Sequence, residues 1–219
     1  MIQAVGFDFD GTLCNSISAK KENVGILFSS YLKVDKQKVQ EQYEKLSGIT
    51  RKELFDKIAK AFNRAISNEE YESLSLEFDK MNDAIYTLSI IFPGVIGALE
   101  LLRKEGKVLY ISSSVPQKTL DRIVRKIKLR NLFDEVLGSS GYDGKGVVHT
   151  EYISTKYGIN SKNIAFLGDD ESDMHLSKMA KIGLIMGITN TKSKQVLMKA
   201  GANKIISLFN ELLEAIKDN

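Results

Sequence analysis

The chain has 219 residues, 43% of them hydrophobic and 27% charged, which supplies a genuine core and excludes a disordered chain. Its net charge of +3, from 31 basic and 28 acidic residues, describes a mixed solvated surface and gives no reason to expect a nucleic-acid or membrane partner. A single cysteine, Cys14, excludes an intramolecular disulfide and fits a reducing, cytoplasmic setting. No apolar stretch approaches a membrane span, and the N-terminus lacks the basic-then-apolar pattern of a signal peptide.

Residues 2–9 form a short, nearly continuous apolar run that reads as a buried strand, ending in a turn at Asp8, Asp10 and Gly11. From Cys14 to Phe92 the pattern becomes helical. Val24, Leu27, Phe28 and Tyr31 recur at helical spacing, as do Leu54, Phe55, Ile58 and Phe62, and then Leu74, Phe78, Met81, Ile85 and Leu88. Ser47-Gly48 and Ser67-Asn68 read as breaks, with Ser67 capping the acidic turn Glu69-Glu70. The expectation is an all-helical domain over 14–92, inserted into a core made of 1–13 and 93–219.

Beyond Phe92-Pro93-Gly94, strands and helices alternate. Helices are expected at 95–104, 120–129, 147–157, 173–181 and 193–200, and strands at 107–112, 135–137, 164–167, 183–188 and 204–206. A last helix runs through Leu212, Leu213 and Ile216. Such alternation with short connections predicts an α/β, Rossmann-like, doubly wound parallel sheet. These sheets carry their chemistry at the carboxyl ends of the strands. Polar residues stand there: Asp8 and Asp10, Ser112, and Asp169 and Asp170, with Lys145 in a glycine-rich loop.

Asp8, Asp10, Asp169 and Asp173 would crowd carboxylates into one cleft, which is costly unless a cation neutralises them. Oxygen donors without a histidine or thiolate cluster favour a hard ion, magnesium being the usual one beside phosphate. A lysine and a hydroxyl in the same cleft suit a phosphoryl group, and a carboxylate can attack phosphorus. Any of Ser112, Ser113 and Ser114 could instead be a turn or capping residue, although Ser112 follows the apolar run most directly.

The set resembles the haloacid dehalogenase superfamily of phosphohydrolases over nearly the whole chain. Asp8-Phe9-Asp10-Gly11-Thr12 matches the first motif of that family, Ser112 the second, Lys145 the third, and Gly168-Asp169-Asp170-Glu171-Ser172-Asp173 the fourth. The usual proline soon after the third-motif lysine is missing from Asp143-Gly144-Lys145-Gly146. The resemblance implies Asp8 as nucleophile and magnesium ligand. It implies that Asp10 first protonates the leaving oxygen and then activates water, its backbone carbonyl also binding the ion. Ser112 and Lys145, with Gly11, Thr12 and Ser113, would hold phosphate oxygens, and Asp169 and Asp173 would complete the metal site.

The helical insertion resembles the cap of the phosphoglycolate phosphatase and beta-phosphoglucomutase branch. Gly48-Ile49-Thr50-Arg51-Lys52-Glu53-Leu54 is similar to its specificity loop, in which Arg51 would contact substrate; the bland reading is an arginine in the first turn of a surface helix. Lys20 and Lys21 sit near the hinge, where the mutase branch has a histidine shuttle. His149 and His175 read as satisfied or surface histidines, and Cys14 as a small buried thiol. The expectation is a phosphatase for a small phosphorylated metabolite, a monomer or weak dimer. A phosphomutase and a non-catalytic phosphate-binding module are the alternatives.

Overall fold

Ala4, Val5, Gly6 and Phe7 are all buried and form β1 (Ala4–Phe7), the central strand of a six-stranded sheet. The computed structural model describes residues 1–87, 90–141 and 144–217; Leu88 and Asp143 lie outside the described residues. On one side β1 pairs with β2 (Val108–Pro116) and on the other with β4 (Ile164–Gly168). β3 (Glu135–Ser139) joins β2, while β5 (Leu184–Ile188) and β6 (Lys204–Ile206) follow β4. The order is β3-β2-β1-β4-β5-β6, and every pairing is parallel.

Successive side chains on a strand face opposite sides, and two separate apolar clusters result. Val5, Phe7, Leu109, Ile111 and Leu167 pack under α5 (Val95–Lys104), α6 (Gln117–Lys126) and α10 (Leu212–Lys217). Ala4, Tyr110, Ile164, Phe166 and Ile185 pack under α7 (Val147–Tyr157), α8 (Glu171–Met179) and α9 (Lys194–Ala200). The sheet is therefore covered on both faces, the doubly wound arrangement expected. Gly6 is required at the centre, because a side chain there would run into the Tyr110 and Phe166 rings.

Between β1 and α5 the described residues form four α-helices: α1 (Ile17–Leu32), α2 (Lys36–Glu44), α3 (Arg51–Ala61) and α4 (Asn68–Asp83). They enclose their own core of Val24, Phe28, Phe55, Ile58 and Phe78. The Phe55 ring lies 4.9 Å from that of Phe28 and 5.6 Å from that of Phe78, both edge-on. Two crossings connect this insertion to the sheet, and they hydrogen-bond to each other. Asn15 N donates to Ile90 O at 2.8 Å and Phe92 N to Leu13 O at 3.0 Å.

Several boundaries differ from the sequence expectation. α2 was not anticipated, because only Val39 of its residues is buried and it has almost no apolar stripe to read. Its signal is at the end: Asp35 accepts from Gln37 N and Lys38 N. α4 stops at Asp83, so Ile85 falls outside the helix. β2 extends to Pro116 and α6 begins at Gln117, three residues before the apolar pattern becomes visible. No helix among the described residues is long and apolar enough to cross a membrane.

Candidate functional site

β1 delivers Asp8 at its carboxyl end, with Asp8 N donating to Leu167 O at 2.9 Å and so extending the parallel ladder. Gly11 then turns the chain back at φ +91. β4 delivers Asp169 just beyond its own carboxyl end. Asp170 caps α8 by accepting from Ser172 N at 2.9 Å. In the first turn of α8, Asp173 accepts from Asp169 N at 3.2 Å and Asp170 N at 3.1 Å. Asp8, Asp169 and Asp173 thereby converge, each buried, with one carboxylate oxygen apiece within 4.8 Å of the others.

Lys145 enters this cluster and is no solvated loop lysine. Its side chain is 7% exposed, and Nζ donates to Asp8 at 2.9 Å and to Asp173 at 2.6 Å. Burial opposes its charge, but Asp173 and Asp8 outweigh burial and raise its proton affinity. One ammonium against three buried carboxylates leaves an excess of negative charge. Burial raises the Asp8 carboxyl well above its ordinary value; Lys145 draws it down, and Asp173 and Asp169 push it up. Asp169 is raised to about 7, by burial first and by Asp173 next, while Thr191 and Thr12 pull it down. An all-oxygen cluster with uncompensated negative charge fits a hard divalent cation, so the residues present suit magnesium.

Asp10 is held differently. Lys20 Nζ lies 2.5 Å from Oδ2, while Ser16 Oγ and Tyr86 OH donate to Oδ1 at 2.5 Å and 2.7 Å. Burial alone would raise its carboxyl, but Lys20, Ser16 and Tyr86 together hold it below the ordinary value. Asp10 is therefore ionised where Asp8 and Asp169 resist ionisation. Cys14, beside it, is fully buried and its thiol is pushed well up by burial and Asp10, so it is inert.

Three expected phosphate contacts take other partners. Thr12 is fully buried and donates to Asp169 Oδ1 at 2.7 Å. Gly11 N donates to Cys14 O at 2.7 Å. Ser112 faces His149: the carbonyl of Gly138, 3.1 Å from His149 Nε2, can only accept, so Nε2 carries the proton and Nδ1 accepts from Ser112 Oγ at 2.8 Å. Ser113 and Ser114 border the cavity instead. Ser113 Oγ accepts from Val115 N at 3.2 Å. Ser114 Oγ is buried without a hydrogen-bond partner among the described residues, and Ser113 Oγ only accepts, so both hydroxyls keep a proton to donate to a ligand.

The cavity has a volume of about 600 Å³ and lies between the sheet's carboxyl edge and the insertion. Asp8, Asp10, Lys145 and Asp169 border its floor, and Arg51 and Phe78 its far wall. Arg51 is in the first turn of α3, as expected, but it is buried at 7% exposure. Sequence reasoning missed Ser16 and Tyr86 on Asp10, and Thr191, whose Oγ1 donates to Asp169 Oδ2 at 2.5 Å. Thr191 stands just beyond the carboxyl end of β5, so the strand-end rule would have found it.

A profile described as haloacid dehalogenase-like hydrolase matches residues 5–187. A phosphoglycolate phosphatase from Pasteurella multocida is 25% identical over 194 residues, 84% of this chain and 85% of the relative. The structure superimposes on a beta-phosphoglucomutase from Clostridium difficile with a TM-score of 0.81 at 18% identity, covering 100% of this chain and 98% of that one. It also superimposes on a predicted phosphoglycolate phosphatase from Haemophilus somnus with a TM-score of 0.79 at 20% identity, covering 97% of each chain. The profile spans the first-motif turn, the insertion, the Lys145 loop and the Asp169–Asp173 turn, so the chain belongs to the haloacid dehalogenase-like hydrolase family.

Proposed function

We propose that this protein is a magnesium-dependent phosphomonoesterase that hydrolyses a small phosphorylated metabolite through an aspartyl-phosphate on Asp8. The observation carrying this reading is the buried cluster of Asp8, Asp169 and Asp173 around the Lys145 ammonium at the carboxyl ends of β1 and β4. Magnesium, when bound, would supply positive charge to those carboxylates, to the backbone carbonyl of Asp10 and to the phosphate.

The chain's own groups supply the rest. Lys145 and the hydroxyls of Ser113 and Ser114 hold phosphate oxygens and orient the phosphorus toward Asp8. An Asp8 oxygen forms the new bond to phosphorus while the ester oxygen departs with a proton from Asp10, which, being ionised here, must first take that proton from water or from a monoprotonated substrate phosphate. Asp10 then takes a proton from water, which attacks the aspartyl-phosphate and releases inorganic phosphate. The ionised Asp10 found here is the form that this second step needs. Residues 14–92 act as a cap that restricts bulk water and substrate size. No histidine borders the cavity among the described residues, which supports a phosphatase over a mutase. A cytoplasmic monomer or weak dimer completes the reading.

The test is phosphate release from sugar phosphates, phosphoglycolate and nucleotides, with and without magnesium. Asp8→Asn is expected to abolish turnover, and full activity in that variant would overturn the mechanism.

A further inference from the structure

The floor of the cavity accounts for a phosphate; the outer cavity must account for what the phosphate is attached to. Among the described residues five cations border the cavity: Lys20, Lys21, Arg51, Lys145 and Lys192. Each has a carboxylate of its own. Lys20 meets Asp10 and Lys145 meets Asp8 and Asp173, as above. Lys21 pairs with Glu44, and Lys192 lies 3.8 Å from Asp170.

Arg51 is the most completely engaged cation of the far wall. Nη2 lies 2.8 Å from Asp79 Oδ1 and Nη1 donates to Ser75 Oγ at 2.9 Å. The Asp79 contact is a charge pair and not an aligned hydrogen bond, since that oxygen has no hydrogen-bond partner among the described residues. The guanidinium also sits over the Phe78 ring, 5.3 Å from its centroid. Ser75, Phe78 and Asp79 share one face of α4, so Arg51 ties α3 to α4 with its charge already answered.

A second anionic group on the substrate would find Arg51 already paired, and beyond it only the partly exposed, weakly paired Lys21 and Lys192 among the described residues. Apolar surface is available instead: Ile17, Leu46, Ile49, Leu54, Phe78 and Val115 border the same cavity. At about 600 Å³ the space is of the size that takes a ring-bearing ligand, and a two-carbon leaving group would leave the apolar wall uncovered.

We infer that the substrate is the phosphate monoester of an uncharged alcohol with an apolar or ring-bearing body, and that Asp79, by neutralising Arg51, selects against a leaving group carrying its own carboxylate or second phosphate. This rests on the phosphomonoesterase reading and narrows its substrate. It also sets the chain apart from relatives named for phosphoglycolate, whose leaving group is a carboxylate-bearing acid.

The experiment compares kcat/KM for ethyl phosphate, benzyl phosphate and 2-phosphoglycolate with magnesium present. Ethyl phosphate and phosphoglycolate differ chiefly in the carboxylate, and ethyl and benzyl phosphate in the ring. Benzyl phosphate is expected to exceed ethyl phosphate by about tenfold through burial of the ring on the apolar wall. Phosphoglycolate is expected to do no better than ethyl phosphate. Asp79→Asn releases the Arg51 charge and is expected to raise phosphoglycolate relative to ethyl phosphate by about tenfold, the worth of one hydrogen bond to a charged group. If that variant does not fold, Ile49→Ala, in the half-buried loop before α3, is expected to lower the benzyl-to-ethyl ratio by about threefold. Wild-type preference for phosphoglycolate over ethyl phosphate by about threefold or more, at roughly the level of half a charged hydrogen bond, overturns the inference and leaves the phosphatase reading standing. Release of phosphate from none of the three overturns both.

Discussion

His149 makes the fold sensitive to acid in a way that can be worked out from its surroundings. The ring is 7% exposed, with Nε2 donating to Gly138 O and Nδ1 accepting from Ser112. Burial depresses its proton affinity to about 4 from the ordinary 6.5, the Gly138 carbonyl works against that, and the Lys145 charge adds to it. A group whose folded value is depressed is neutral in the native state. Above pH 6.5 both states are neutral and there is no linkage. Below 6.5 the unfolded chain takes up a proton that the native chain refuses, so stability falls with pH until about 4. The gap is worth about 3 kcal/mol in full and about 2 kcal/mol by pH 5.

The assay is urea unfolding of wild type and His149→Gln at pH 7.5 and pH 5. Glutamine can still donate to Gly138 and accept from Ser112, but it does not titrate. Asp169, raised to about 7, carries the opposite slope, because its burial favours the protonated form at low pH. That slope is common to both proteins and cancels in the difference between them. Wild type is expected to lose about 2 kcal/mol more than the variant between the two pH values. Equal losses would refute the assignment of a buried neutral histidine.

Lys20→Met and Tyr86→Phe each remove one partner from Asp10. Each is expected to lower kcat by about tenfold, a hydrogen bond to a charged group being worth 1.5 to 3 kcal/mol, roughly. The limb of the pH–rate profile belonging to Asp10 should move upward as its ionised form loses support. Lys145→Met leaves Asp8 and Asp173 without their ammonium. It is expected to abolish turnover and to cost about 3 kcal/mol in metal-free buffer, read by thermal unfolding. Gly183→Ala would drive a methyl group into the Lys162 backbone, far from the cavity. It is expected to cost about 2 kcal/mol of stability with kcat/KM of the folded protein unchanged.

What could be read in the sequence depended on whether a local signal existed. α5 and α7 occupy the expected residues, 95–104 and 147–157, and each is followed closely by the glycine that was expected to stop it. The strand-end rule found Asp8 and Asp169 because a buried parallel strand is a continuous apolar run with an abrupt end. The partners of Asp10 had no such signal: Tyr86 is 76 positions away, and nothing in its own neighbourhood announces the contact. Arg51 shows the same limit. Its place in the first turn of α3 was legible, but whether it faces substrate or protein depends on Asp79, which only the packing of α3 on α4 brings within reach. Ser112 was chosen over its neighbours by its position after the apolar run, yet His149, 37 positions on, takes its hydroxyl.

The two carboxylates of the first-motif turn, two residues apart, are held by different parts of the molecule. Asp8 is fixed by the strand ladder and by Lys145, both of the sheet domain. Asp10 is fixed by Ser16 and Lys20 on the outgoing crossing and by Tyr86 on the returning one. Those crossings are bound to each other at Asn15–Ile90 and Leu13–Phe92, and Cys14 bridges to both Asp10 and Ile91. Lys20 lies on α1, so any rotation of the insertion that carries α1 away changes what Asp10 touches and leaves Asp8 untouched. The orientation and charge of Asp10 therefore depend in part on where α1 stands, because Lys20 is one of its partners.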